Sequence, residues 1–157
     1  MTAALFDEVA QALAPAGGPP EIAHGVLVLN VEPGAVAATA KVLKERFGFD
    51  MFLDVTAVDW PRRTPRFAVV YHFYSTIHHV RVRVKTNVGQ AEPTVDTLTG
   101  LYGSAGLMER ECHDMYGIVF RGNADLRPIL LYEGFEGHPL RKDYPKEREQ
   151  PLVPYRD

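Results

Sequence analysis

Apolar and polar residues alternate most regularly at 78–86, where Val80, Val82 and Val84 fall on one side and His79, Arg81, Arg83 and Lys85 on the other. A period of two with one apolar face predicts a half-buried strand. Just before it, "RFAVVYHFYS" (66–75) is apolar on both alternating faces, the pattern of a central strand. The short link Thr76-Ile77 predicts an antiparallel hairpin between the two. "GVLVLNV" (25–31) and "FLDVTAVDW" (52–60, closed by Pro61) read as further strands. Helical spacing is found at three places. Ala4, Leu5, Val9, Ala12 and Leu13 mark a first helix, stopped by Pro15 and by "GGPP" at 17–20. Val36, Ala40, Leu43 and Phe47 mark a second, with Gly48 as its C-terminal cap. A polar loop (86–94) leads to the third, which Ser104 is placed to cap and which holds "LMERECHDMYG" (107–117).

Beyond Phe120 the periodicity ends. Pro128, Pro139, Pro145, Pro151 and Pro154 prevent helix and discourage strand pairing. Leu130, Leu131, Tyr132, Phe135, Leu140, Tyr144, Leu152, Val153 and Tyr155 are nonetheless interspersed there, more large apolar groups than a self-solvating chain carries. Two readings stay open on the residues alone: a solvated terminus, or an extended arm laid on another protein.

Composition narrows the function. A chain of 157 residues fits one domain and buries ~70% of its unfolded surface without disulfide or metal. Seventeen basic against 20 acidic residues, a formal charge of −3, argue against a dedicated nucleic-acid binder. One cysteine excludes an internal disulfide and suits a reducing compartment. Residues 1–14 carry Asp7 and Glu8 without a basic lead-in, so no secretory signal is expected. No apolar run nears the roughly 20 residues of a membrane span.

The helix at 107–117 has the residue types of a metal or acid–base site, but not the spacing. Arg110, a cation, stands three residues before His113, where a Glu-x-x-His site needs a carboxylate. There is no HExxH, no Walker loop, no GxGxxG and only one of the four cysteines that an iron–sulfur cluster uses. Glu109 and His113 are spaced as a surface i,i+4 pair, and Arg110 and Asp114 as a salt bridge. Adjacent Cys112 and His113 point about 100° apart on a helix and make no nucleophile–base couple. Cys112 falls instead in a stripe with Met108, Met115 and Val119, which predicts a buried thiol. The alternative on these residues is a metal-dependent hydrolase built from Glu109, His113 and Asp114.

"ERECHDMYGIVF" resembles the signature of the C-subunit family of proton-pumping NADH:quinone oxidoreductase, respiratory complex I, through Glu109, Arg110, Glu111, Asp114, Met115, Tyr116 and Gly117. "EGHPLRKDYP" (136–145) resembles that family's C-terminal motif throughout. Between the two, the family's Gly-His-Pro-x-Leu-Arg-Arg is replaced by Gly122-Asn123-Ala124-Asp125-Leu126-Arg127-Pro128. The resemblance spans about residues 25 to 145. It implies an α+β fold, a mixed and largely antiparallel sheet flanked by helices, over residues 1–136. Residues 137–157 would then be an extended arm docking on a partner through His138, Leu140, Arg141, Lys142, Asp143 and Tyr144. It further implies an accessory subunit without catalytic, cofactor or metal residues of its own. NADH, FMN, iron–sulfur clusters and quinone would belong to partner subunits; the D, B and I subunits would be the neighbours. The place implied is the cytoplasmic side of the bacterial inner membrane, with membrane contact only through the complex. Equivalent subunits of ferredoxin-, F420- or hydrogenase-linked complexes are the runner-up.

Overall fold

The computed structural model describes residues 2–147. Ten regular elements follow one another: α1 (Thr2–Leu13), β1 (Glu21–Ala23), β2 (Val26–Asn30), α2 (Val36–Glu45), β3 (Met51–Asp59), β4 (Phe67–Ser75), β5 (Val80–Val88), β6 (Thr94–Asp96), α3 (Ala105–Tyr116) and β7 (Val119–Arg121). Strands β1 to β5 form one sheet in the order β1-β2-β5-β4-β3. Only β2 and β5 run parallel; the other pairs are antiparallel. The expected α+β class with a mixed, largely antiparallel sheet is the one found. β4 lies between β5 and β3, as its two-sided apolar pattern requires. The β4–β5 hairpin turns at 76–79, where Asp50 accepts both the Thr76 N–H (2.9 Å) and its hydroxyl (2.5 Å).

The core forms on one face of this sheet. Phe67, Val69, Tyr71 and Phe73 of β4 are fully buried against Phe52 and Val55 of β3, Val82 and Val84 of β5, and Leu27 and Leu29 of β2. Phe6, Val9 and Leu13 of α1, Ala40 and Leu43 of α2, and Ala105 and Cys112 of α3 join the same cluster. Phe52, Phe73 and Tyr102 pack ring against ring at 5.3–5.6 Å. Such pairs add about 0.5–1.5 kcal/mol beyond area burial. α2 ends at Glu45 with Arg46, not the expected Gly48, as its C-cap; Gly48 follows two residues later at φ +68, and the Phe49 N–H reaches back to the Leu43 carbonyl at 3.0 Å.

Two further expectations are corrected. Ser104 stands at the N-cap position of α3, but its side chain makes no capping bond; its hydroxyl donates to the Phe52 carbonyl at 3.2 Å and ties the helix start to β3. The loop expected at 86–94 is shorter, because β5 runs to Val88 and Thr94 opens β6. That strand pairs in parallel with β7 as a second, two-stranded sheet, anchored by buried Val95 and Phe120. After Arg121 no helix or strand occurs among the described residues. No helix among them is long and apolar enough to cross a membrane. Residues 148–157, including Leu152, Val153 and Tyr155 of the expected arm, lie outside the described residues.

Candidate functional site

The charged motif of α3 faces inward. Glu109 has 0% exposure, unusual for a residue almost never fully buried unless paired. Its Oε1 accepts the Leu98 N–H (2.7 Å), and its Oε2 accepts the Thr97 hydroxyl (2.6 Å) and the Asn123 amide (2.9 Å). One carboxylate thus joins α3 to the chain after β6 and the chain after β7. The expected surface pair with His113 is not formed. His113 instead donates its Nδ1–H to the Ile118 carbonyl at 2.8 Å.

Asp114 is buried on another side of the helix. Its Oδ2 accepts the N–H groups of Ile129 (2.7 Å), Leu130 (3.0 Å) and Leu131 (3.4 Å). Burial opposes its charge, but the three amides outweigh burial and hold the carboxyl below its usual value. Arg110 does not bridge to Asp114 as expected. It donates to the Arg127 and Pro128 carbonyls, both at 2.8 Å, and lies 3.7 Å from Asp125. Glu109, Arg110 and Asp114 therefore all hold the 123–131 segment. That segment carries no regular hydrogen-bond ladder of its own, so side chains supply its backbone partners.

The second motif closes the other end of the helix. A helix leaves its last carbonyls without intrahelical donors. Here the Asp114 carbonyl accepts His138 Nδ1–H (2.9 Å), Met115 accepts the Leu140 N–H (3.1 Å), and Tyr116 accepts Arg141 Nε–H (2.6 Å). The Gly117 N–H donates to the His113 carbonyl at 2.7 Å. Gly117 has φ +70, and a methyl group on it would overlap Arg141 Nη2 and the His138 ring. Glycine is thus required twice over, by conformation and by space. Burial, and the neighbouring Arg141 and His113, lower the His138 pKa, against the pull of its bond to Asp114.

Beyond the helix, the same segment reaches the sheet. Arg66, 6% exposed, forks onto both oxygens of buried Asp59 at 2.7 Å and binds Asp143 at 2.8 Å through its remaining nitrogen. The Lys142 N–H adds a 2.7 Å bond to Asp59. These contacts, with the Arg66 bond first and burial opposing, keep the Asp59 carboxyl low. Tyr144 stacks on Phe135 with 17° between planes and centroids 6.0 Å apart. Residues 138–144 therefore lie on the domain they were expected to leave at 136. The reason is concrete: helix-end carbonyls and a buried ion pair need their donors and acceptor.

Of the residues assigned to docking, Leu140 (45% exposed) and Lys142 point outward, while His138, Arg141 and Asp143 bond to the domain. Of the motif residues, Glu111 is exposed and Tyr116 half-buried. Cys112 is buried and its thiol pushed up by burial; the fully buried residues beside it on the helix are Ala105 and Glu109, while Met108 of the expected stripe is half-buried against the same core. Val119 lies beyond the helix, exposed on β7. Glu109, His113 and Asp114 bond in three separate directions, which contradicts the hydrolase arrangement. Among the described residues no three His, Cys, Asp or Glu side chains gather as a metal-binding group. Sequence reasoning missed Asp59 and Arg66; the available signal was a carboxylate at the inward position after Val55 and Ala57.

The fold and these contacts define an α+β domain whose charged helix and C-terminal motif form one interlock. The family model of the respiratory-chain NADH dehydrogenase 30 Kd subunit matches residues 29–150, and the chain belongs to that family. The NADH-quinone oxidoreductase C-subunit of Agrobacterium fabrum is 48% identical over 127 residues, 80% of this chain and 63% of the relative. The C-subunit of Geotalea uraniireducens is 42% identical over 122 residues, covering 78% and 74%. The chain spans about 63% of the length of the first of these curated relatives. Among solved structures, the trypsin-resistant fragment of Nqo5 superposes with a TM-score of 0.69 at 31% identity, over 80% of this chain and all of the fragment. A chain of the archaeal membrane-bound sulfane sulfur reductase shares the fold, with a TM-score of 0.80 at 23% identity over 92% of this chain and 86% of that one.

Proposed function

We propose that this chain is the structural C-subunit of the hydrophilic arm of proton-pumping NADH:quinone oxidoreductase. It carries no redox group of its own, sits peripherally on the cytoplasmic side of the inner membrane, and braces the D, B and I subunits. Electron transfer from NADH to quinone, and the proton translocation coupled to it, run through partner subunits of the complex. Family membership supports the reading. The observation that carries it is the engagement of charged groups within the domain: Glu109, Arg110 and Asp114 of the motif, with Arg66 and Asp59 of the sheet, hold chain to chain. A surface fixed in this way docks without large ordering cost, since binding otherwise loses roughly 0.5–1.5 kcal/mol per immobilised side chain.

The docking surface is the outer side of the interlock, where Leu130, Leu140 and Lys142 are exposed. Leu140→Glu tests it. The isolated variant should melt as the parent does, because the side chain touches solvent. In cells it should lower co-purification of the D-subunit with the tagged chain at least tenfold. Unchanged recovery of the D-subunit would refute this docking surface.

A further inference from the structure

The loop joining β3 to β4 carries a feature that the interlock does not use. Trp60 is the chain's sole tryptophan, and it is 42% exposed at the loop's start. The Arg63 guanidinium lies over its ring, 4.2 Å from the centroid. Arg62 and Arg63 are both exposed and form no ion pair among the described residues. Arg66, the third cation of the loop, is already neutralised by Asp59 and Asp143. Trp60, Pro61, Arg62 and Arg63 line an open concavity of about 350 Å³. Val58, two residues before Trp60, adds a second exposed apolar group.

The loop is held in shape. The Trp60 N–H donates to the Arg66 carbonyl at 3.0 Å and the Arg63 N–H to the Trp60 carbonyl at 2.9 Å, while Pro61 and Pro65 restrict the backbone. A rigid aromatic anchor beside two unpaired arginines is the composition of an interface hot spot. On a chain of net charge −3, this local excess of positive charge selects for a partner of opposite sign.

We infer that the Trp60–Arg63 loop is a second docking surface, and that its occupant is an acidic segment of a partner protein. Carboxylates of that segment pair with Arg62 and Arg63, and an apolar side chain seats against Trp60 in the concavity. The site is separate from the Leu140 surface and holds whichever assembly the chain joins.

The test places a photoreactive benzoylphenylalanine at exposed Val58, which leaves both arginines in place, in the full chain, expressed in its native cells, and identifies the cross-linked product by mass spectrometry. The expected product is a protein segment with several Asp or Glu within ten residues. The yield should fall at least fivefold on adding Arg63→Glu. Cross-links to lipid, to a segment without such acids, or to nothing would each overturn the inference. Thermal melting of Arg63→Glu checks that the fold is kept. An acidic partner from outside complex I would support this loop while contradicting the proposed assembly, so the two failures are distinguishable.

Discussion

Gly117→Ala should be far more damaging than an alanine at an ordinary left-handed glycine. At φ +70 a Cβ costs roughly 1–2 kcal/mol in backbone strain alone. The added methyl also displaces the His138 ring and Arg141, which strips donors from the Asp114 and Tyr116 carbonyls and loosens the Leu140 bond to Met115. Three such bonds contribute about 1 kcal/mol each, so the total is about 4–5 kcal/mol. For a domain of this size that lowers Tm by roughly 8–20 °C. Gly25→Ala is the matched control, with φ +75 and nothing near its Cβ position; it carries the strain without the clash and should lose only about 2–8 °C. Differential scanning fluorimetry of both variants reads the difference. If Gly117→Ala melts within about 2 °C of Gly25→Ala, the clamp of the C-terminal segment on α3 is not a source of stability.

Three further outcomes follow from the same contacts. Glu109→Gln sets an amide donor against the donors of Asn123, Thr97 or Leu98, and urea unfolding should show a loss of about 2–4 kcal/mol. Cys112 should react with a thiol reagent only as fast as the domain opens, because burial both hides the thiol and raises its pKa; rapid labelling of native protein would contradict its place in the core. Stability should fall with acid in two stages, read by melts across pH. His138 has a lowered pKa in the fold, so its contribution is complete above its unfolded value of 6.5 and is lost as pH falls from there through the folded value; Asp59, Asp114 and Asp143 are also lowered, and theirs is lost in the same way below 3.8.

The long elements are legible in the sequence because each carries one clear period: Val80, Val82 and Val84 announce β5, and the two-sided apolar run at 66–75 announces a central strand. β1, β6 and β7 are not legible, since three residues cannot display a period and their pairing is decided by the surrounding packing. The helix motif shows the opposite failure. Glu109 and Asp114 look like solvated charges by spacing, because spacing counts only neighbours on the same helix, whereas their partners are backbone and side-chain groups off the helix, up to 17 residues away. The C-terminal segment misleads for a similar reason. It lacks any period because it serves as a strap, and its contacts with Asp59 and Arg66 span 83 and 77 residues.

Whether this chain is a bracing subunit of complex I is decided most directly by what it carries with it out of the cell. The chain, tagged at its N-terminus and expressed from its own locus, is purified from detergent-solubilised membranes, and the co-purifying proteins are quantified by mass spectrometry. The expected result is the D, B and I subunits in near-equal amounts to the chain, with NADH:quinone activity in the same fraction. A chain recovered alone, or with partners that include none of these subunits, would contradict the proposed role.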